Sequence, residues 1–190
     1  MKLYHGTFSE IKSFWPSSHF GEEMQAIIAV GLHRFADEDP IFQNGEPRLY
    51  ECEINIKEEE IMDVVDWGAP NPQANFRSFA YGIKKGEMFL ELWREIPEDT
   101  YDGRWLARLQ HETSSIGIFA MRYINEVEKL LNIKSPSLMV IDPNRIEIDK
   151  CRKLSWDEVL SALKQFDSTN YHSDWNEIMA KAHYQANIAR

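Results

Sequence analysis

The chain has 190 residues, 43% apolar and 12% aromatic, enough to bury a core without a metal or disulfide staple, so global disorder is excluded and one decorated domain is expected. With 31 Asp and Glu against 21 Lys and Arg the formal charge is −10, which repels phosphate backbones and anionic lipid and speaks against generic nucleic-acid or membrane binding. The absence of a long apolar run or a signal-peptide core, with Cys52 and Cys151 far apart and at no metal-ligand spacing, leads to the expectation of a soluble cytoplasmic protein with reduced thiols and no metal.

No repeat period is visible, so the fold must close on itself. Residues 2–5 read as a short strand that runs into Tyr4-His5-Gly6-Thr7. After a loop holding Ser18-His19-Phe20-Gly21, residues 22–35 carry Met24, Ile27, Ile28, Leu32 and Phe35 at helical spacing, with acids in the first turn to suit the helix dipole. Residues 48–56 alternate cleanly: Tyr50, Cys52, Ile54 and Ile56 on one face, Glu51, Glu53 and Asn55 on the wet one. Residues 73–95 are rich in aromatics and Leu but hold Gly82 and Gly86, which predicts two short helices or a broken one. A further helix follows over 103–112, so a helical insert over about 70–115 is expected to cover a cleft. Strands are predicted over 117–123, 138–141 and 145–148.

Ser155-Trp156-Asp157-Glu158 has the form of a capping box, and Leu154 and Val159 are placed to staple it. The helix it opens has Trp156, Val159, Leu160, Leu163 and Phe166 as its stripe. A second stripe, Trp175, Ile178, Met179, Ala182 and Ala186, follows Ser173-Asp174. The class is α+β, with residues 1–150 as the domain and 151–190 as a helical hairpin packed on it.

Three polar clusters stand where strands meet loops, positions at which a scaffold can hold functional groups. In the first, His5 ends a strand beside Gly6 and Thr7; it either faces a ligand or simply finishes the strand. The second, His19-Phe20-Gly21, offers an aromatic ring that either stacks on a planar ligand or staples its loop to the core. The third, Tyr123-Ile124-Asn125-Glu126-Val127-Glu128, puts Glu126 and Glu128 on one side of an extended backbone, as a functional pair or as solvated surface acids.

In this order the clusters resemble the ADP-ribosyltransferase superfamily, above all its small phage and prophage members. Tyr-His-Gly-Thr, then His19-Phe20-Gly21 and Gln25-Ala26, then Arg48 to Ile54 with Met62-Asp63 and Trp67, carry the likeness. Tyr123 to Glu128 and Ser137 to Pro143 complete it, so that it spans about residues 2–148. The resemblance implies a split, strongly bent mixed sheet that pinches NAD between its halves. It implies that His5 holds an adenosine-side ribose hydroxyl, that the Gly6 backbone pairs with the nicotinamide amide beside Thr7, and that Phe20, flanked by His19 and Gly21, stacks on nicotinamide. A carboxylate of the third cluster would hold the nicotinamide-side ribose and stabilise the cation formed as nicotinamide leaves.

Many relatives have Tyr where Phe20 stands. Aligning the closing strand on 138–142 puts Ser137 at the carboxylate position; aligning it on 123–128 supplies Glu126 first and Glu128 second. The expected function is therefore transfer of ADP-ribose from NAD, as substrate, to a macromolecule, a protein by preference, by an enzyme of prophage or toxin type that needs no metal. An inactive relative that serves as a binding or inhibitor protein is the alternative, and an NAD glycohydrolase is another.

Overall fold

In the computed structural model, residues 1–36, 42, 44–64, 94–95, 103–124, 135–165 and 175–189 are described. Their elements, in chain order, are β1 (Lys2–Thr7), β2 (Ser18–Phe20), α1 (Glu23–Phe35), β3 (Arg48–Ile54), β4 (Ile61–Asp63), α2 (Gly103–Ser115), β5 (Ala120–Tyr123), β6 (Ser137–Val140), β7 (Ile146–Lys153), α3 (Trp156–Gln165) and α4 (Trp175–Ile188). The class is α+β. One sheet has the order β1-β3-β7 and is antiparallel throughout; the other has the order β2-β6-β5-β4, with β4 and β5 parallel and the remaining pairs antiparallel. Tyr4 and Gly21 join the sheets by a reciprocal backbone pair, Tyr4 N donating to Gly21 O at 2.8 Å and Gly21 N to Tyr4 O at 3.0 Å.

The alternation of β3 decides how the layers stack. Tyr50, Cys52 and Ile54 turn to an inner core that also takes Phe14, Phe20, Leu138 and Val140 from the second sheet and its approach loop. Leu49 points the other way, into a core filled mainly by α1, α3 and α4. In β6 all four residues are buried: Leu138 and Val140 enter the inner core, while Met139 joins Met62, Leu109, Met121 and Ile141 under α2. Each sheet thus has one face on the shared core and the other beneath helices, the arrangement that lets both faces be apolar.

The helices close tightly on one another. A Cβ at Gly31 would lie 2.8 Å from Leu163 Cδ1, so α3 approaches α1 so closely that an alanine there would force the Leu163 side chain to shift. Arg152 on β7 fastens the same corner, donating to Glu158 at 2.7 Å and to Glu23 at 2.9 Å. At the start of α3, Ser155 N donates to Glu158 Oε2 at 2.8 Å and Glu158 N returns to Ser155 Oγ at 3.2 Å, the reciprocal box read from the sequence. Leu154 and Val159 are both buried beside it, as a staple requires.

Several boundaries differ from expectation. β2 and β4 were not anticipated, β7 runs on to Lys153, and α2 extends to Ser115. Ile118 N donates to Thr113 O, so residues 117–118 close α2 and the strand expected from 117 begins at Ala120. The helices expected over 73–95 fall outside the described residues except for Arg94 and Glu95, as do Phe166 and the Ser173-Asp174 start signal.

Candidate functional site

β1 lies against β3 with His5 opposite Tyr50 and Gly6 opposite Leu49. The pleat sends Leu3 to the inner core and Tyr4 to the helical core. Gly6 sits beneath α1: a Cβ there would come within 2.1 Å of the Ala26 carbonyl oxygen and 2.6 Å of Val30 Cγ2. This glycine therefore has a packing reason of its own, because the helix backbone rests directly on the strand.

His5 Nδ1 lies 2.8 Å from the His19 carbonyl oxygen. A carbonyl only accepts, so Nδ1 carries the proton and a neutral ring keeps Nε2 as an acceptor. Burial lowers the His5 pKa below the ordinary histidine value; the bond to His19 opposes that shift, and the charge of His33 adds slightly to it. Phe14 meets the imidazole edge-on at 5.1 Å, and Phe20 lies at 5.6 Å.

The His19 side chain continues the run, its Nδ1 2.6 Å from Tyr123 Oη and the two rings 5.8 Å apart at 80°. β2 and β5 flank β6 on either side, which brings His19 and Tyr123 across the width of one strand. The structure thus joins the first cluster, the second and the opening residue of the third. Glu126 and Glu128, with Asn125, lie outside the described residues.

Phe20 is 2% exposed and packs on Phe14 at 5.0 Å between the sheets. The ring fills the inner core, the packing that the staple reading describes. Gly21 forms the join to Tyr4 described above. Beside it Gln25, 4% exposed, accepts from Glu22 N at 2.5 Å and donates to Ser135 O at 3.0 Å, while Ser135 Oγ donates to a Glu22 carboxylate oxygen. The Gln25-Ala26 pair marked this place in the sequence, but the strut it forms between α1 and the approach to β6 was not legible there.

An open cleft of about 650 Å³ lies beside His5 and Thr7, walled by the loop that links β1 to β2. Trp15 stands in that loop at 75% exposure, next to Phe14 at 7%. Neither Trp15 nor Lys12 was a candidate from the sequence, where a Phe-Trp-Pro run in a loop carries no ligand signal. A smaller hollow of about 340 Å³ at the start of α3 mixes Arg34 and Lys153 with Glu46 and Asp157.

Behind the site, Arg122 of β5 grips Asp63 of β4 with two bonds, at 2.6 and 2.9 Å, and also meets Glu58 at 2.7 Å. The guanidinium holds the Asp63 carboxyl below the usual carboxylate range, chiefly by hydrogen bonding. Both cysteines are free; burial pushes the Cys52 thiol up to about 12, whereas Cys151 is exposed. Among the described residues no group of three or more His, Cys, Asp or Glu is arranged to hold a metal ion, and no helix is long and apolar enough to cross a membrane.

No family model matches the chain, and no curated protein matches it either. Among solved structures, one described as the crystal structure of an anti-CRISPR protein is similar at 11% identity and a TM-score of 0.30, covering 81% of this chain and 95% of that one. A superposition this loose carries no argument about fold or function.

Proposed function

We propose that this chain transfers the ADP-ribosyl group of NAD to a macromolecular acceptor, a protein by preference, as a cytoplasmic enzyme of the prophage or toxin type within the ADP-ribosyltransferase superfamily. The observation that carries the reading is the hydrogen-bonded run from His5 through His19 to Tyr123. Motifs that are far apart in sequence, and that together resemble the superfamily, meet at the join of two sheets beside a cleft. On this reading the two sheets are the halves of the superfamily's split, bent sheet.

The chemistry asked of the residues is modest. A neutral His5 with its proton on Nδ1 accepts a ribose hydroxyl at Nε2, and Thr7 lines the same cleft. As the bond from ribose to nicotinamide breaks, its electron pair leaves with nicotinamide and positive charge develops on the ribose. Glu126, or Glu128 two residues on, supplies the compensating anion. An acceptor nucleophile then bonds to the anomeric carbon and releases its proton. The reaction needs no metal.

The burial of Phe20 favours a second reading, an inactive member whose cleft binds an ADP-ribose-containing ligand or whose acidic surface binds a protein. Incubation with adenylate-labelled NAD and cell lysate separates these. Label on an acceptor supports transfer, free labelled ADP-ribose points to hydrolysis, and intact NAD that nonetheless stabilises the protein against heat points to the binder. No turnover and no stabilisation at millimolar NAD would end the dinucleotide reading.

A further inference from the structure

The loop between β1 and β2 is pinned along its length. Ile11 N donates to Tyr50 Oη at 2.7 Å, Ser18 Oγ to Trp15 O at 2.8 Å, and Ser17 N to Val140 O at 2.9 Å. Phe14 is driven into the inner core against Phe20 and Tyr50. Ser17 accepts a left-handed backbone, φ 69°, and its Oγ is buried without a hydrogen-bond partner among the described residues. A strained residue of this kind persists only where its surroundings hold it. The outcome of these constraints is that Trp15 stands 75% exposed on a fixed loop at the rim of a polar cleft.

The cleft's other groups suit one ligand chemistry. Lys12 makes no ion pair among the described residues, and it shares the wall with the hydroxyls of Thr7 and Ser9, the imidazole of His5 and the carboxylate of Glu10. An exposed indole and one cation on the same wall as hydroxyl-binding groups match a base, a phosphate and a ribose. The volume of about 650 Å³ lies within the range of small-ligand sites.

The geometry points to a purine-nucleotide subsite in which Trp15 stacks on the base and Lys12 meets the phosphate. It rests on the reading above for its occupant, the adenylate half of NAD, and places that half on the loop between β1 and β2. Glu10 lines the same cleft, where its carboxylate would accept ribose hydroxyls and leave Lys12 to answer the phosphate charge.

The test is calorimetric titration of ADP, adenosine, NAD and nicotinamide mononucleotide into the full chain and into its Trp15→Ala, Trp15→Phe and Lys12→Gln variants, with thermal melts as a check on folding. Trp15→Ala should weaken ADP and NAD about tenfold and leave nicotinamide mononucleotide unchanged, and Trp15→Phe should restore most of the loss. Lys12→Gln should weaken ADP but not adenosine. Wild-type affinity for ADP in Trp15→Ala overturns the subsite, as does a wild-type chain that does not bind ADP. The two readings fail separately: ADP held through Trp15 while NAD is neither bound nor cleaved keeps the subsite and removes ADP-ribosyl transfer. NAD turned over with unchanged KM in Trp15→Ala does the reverse. Weaker labelling of a protein acceptor with unchanged ADP affinity would make Trp15 a protein-docking residue and overturn the proposal.

Discussion

His5 is the residue on which site and stability meet. Its pKa is lowered by burial, so the unfolded chain takes up the proton first as pH falls. The stability it contributes is complete above the ordinary histidine value of about 6.5 and is lost as pH drops from there toward the lower folded value. His5→Asn places an amide donor where Nδ1 stands and cannot titrate, so its melting temperature should fall less between pH 7.5 and pH 5.5 than that of the wild type. Identical slopes in thermal melts would show that His5 does not titrate on unfolding. For the proposed transfer reaction, Glu126→Gln should fold and bind NAD but turn over about two to four orders of magnitude more slowly, the scale of a lost electrostatic contact to the transition state. Single-turnover rates check it, and Glu128→Gln should do less; the opposite ranking would shift the role two residues along. The sequence made His5 legible as a candidate because His-Gly-Thr ends a readable strand. It could not choose between two readings of Phe20, since stacking and stapling demand the same side chain and differ only in what lies opposite.

Elements were legible where a period had room to repeat. The 13 residues of α1 and the alternation of β3 span several cycles, so Ile27, Ile28 and Phe35 of α1 and Tyr50, Cys52 and Ile54 of β3 followed from spacing, whereas the burial of Val30, Gly31 and Leu49 depends on the neighbouring layer. β2 and β4 have three residues each, fewer than two full alternations, and exist because neighbouring strands supply their hydrogen bonds. The capping box of α3 was readable for a different reason: both its bonds are local, so no tertiary partner is needed to specify it. Ser155→Ala removes the oxygen that accepts from Glu158 N and should lower unfolding free energy by about 1 kcal/mol in denaturant titrations, with the m-value unchanged. A loss below a few tenths would mean that Arg152, through Glu158, holds the helix start without the cap.

At the scale of the whole molecule, residues beyond Lys153 share one core with α1 and Leu49. A chain ended at Lys153 would expose Ile27, Val30 and Leu49 together, and it should be insoluble or lack a cooperative melt; a soluble, sharply melting fragment would show that the first 153 residues fold alone. This shared core was only partly legible: the stripes of α3 and α4 announced buried faces, but nothing local told which surface they meet. The thiol of Cys52, at the centre of the layers, carries a consequence of another kind. Held protonated and enclosed, it cannot react with an alkylating reagent until the inner core opens, whereas Cys151 on an edge strand can react at once. Mass spectrometry during alkylation should show one fast adduct and one slow adduct, and the slow rate counts how often the two sheets part. Adding NAD to the same reaction would time that parting in the presence of the proposed ligand, so the molecule carries its own stopwatch at the interface between its sheets.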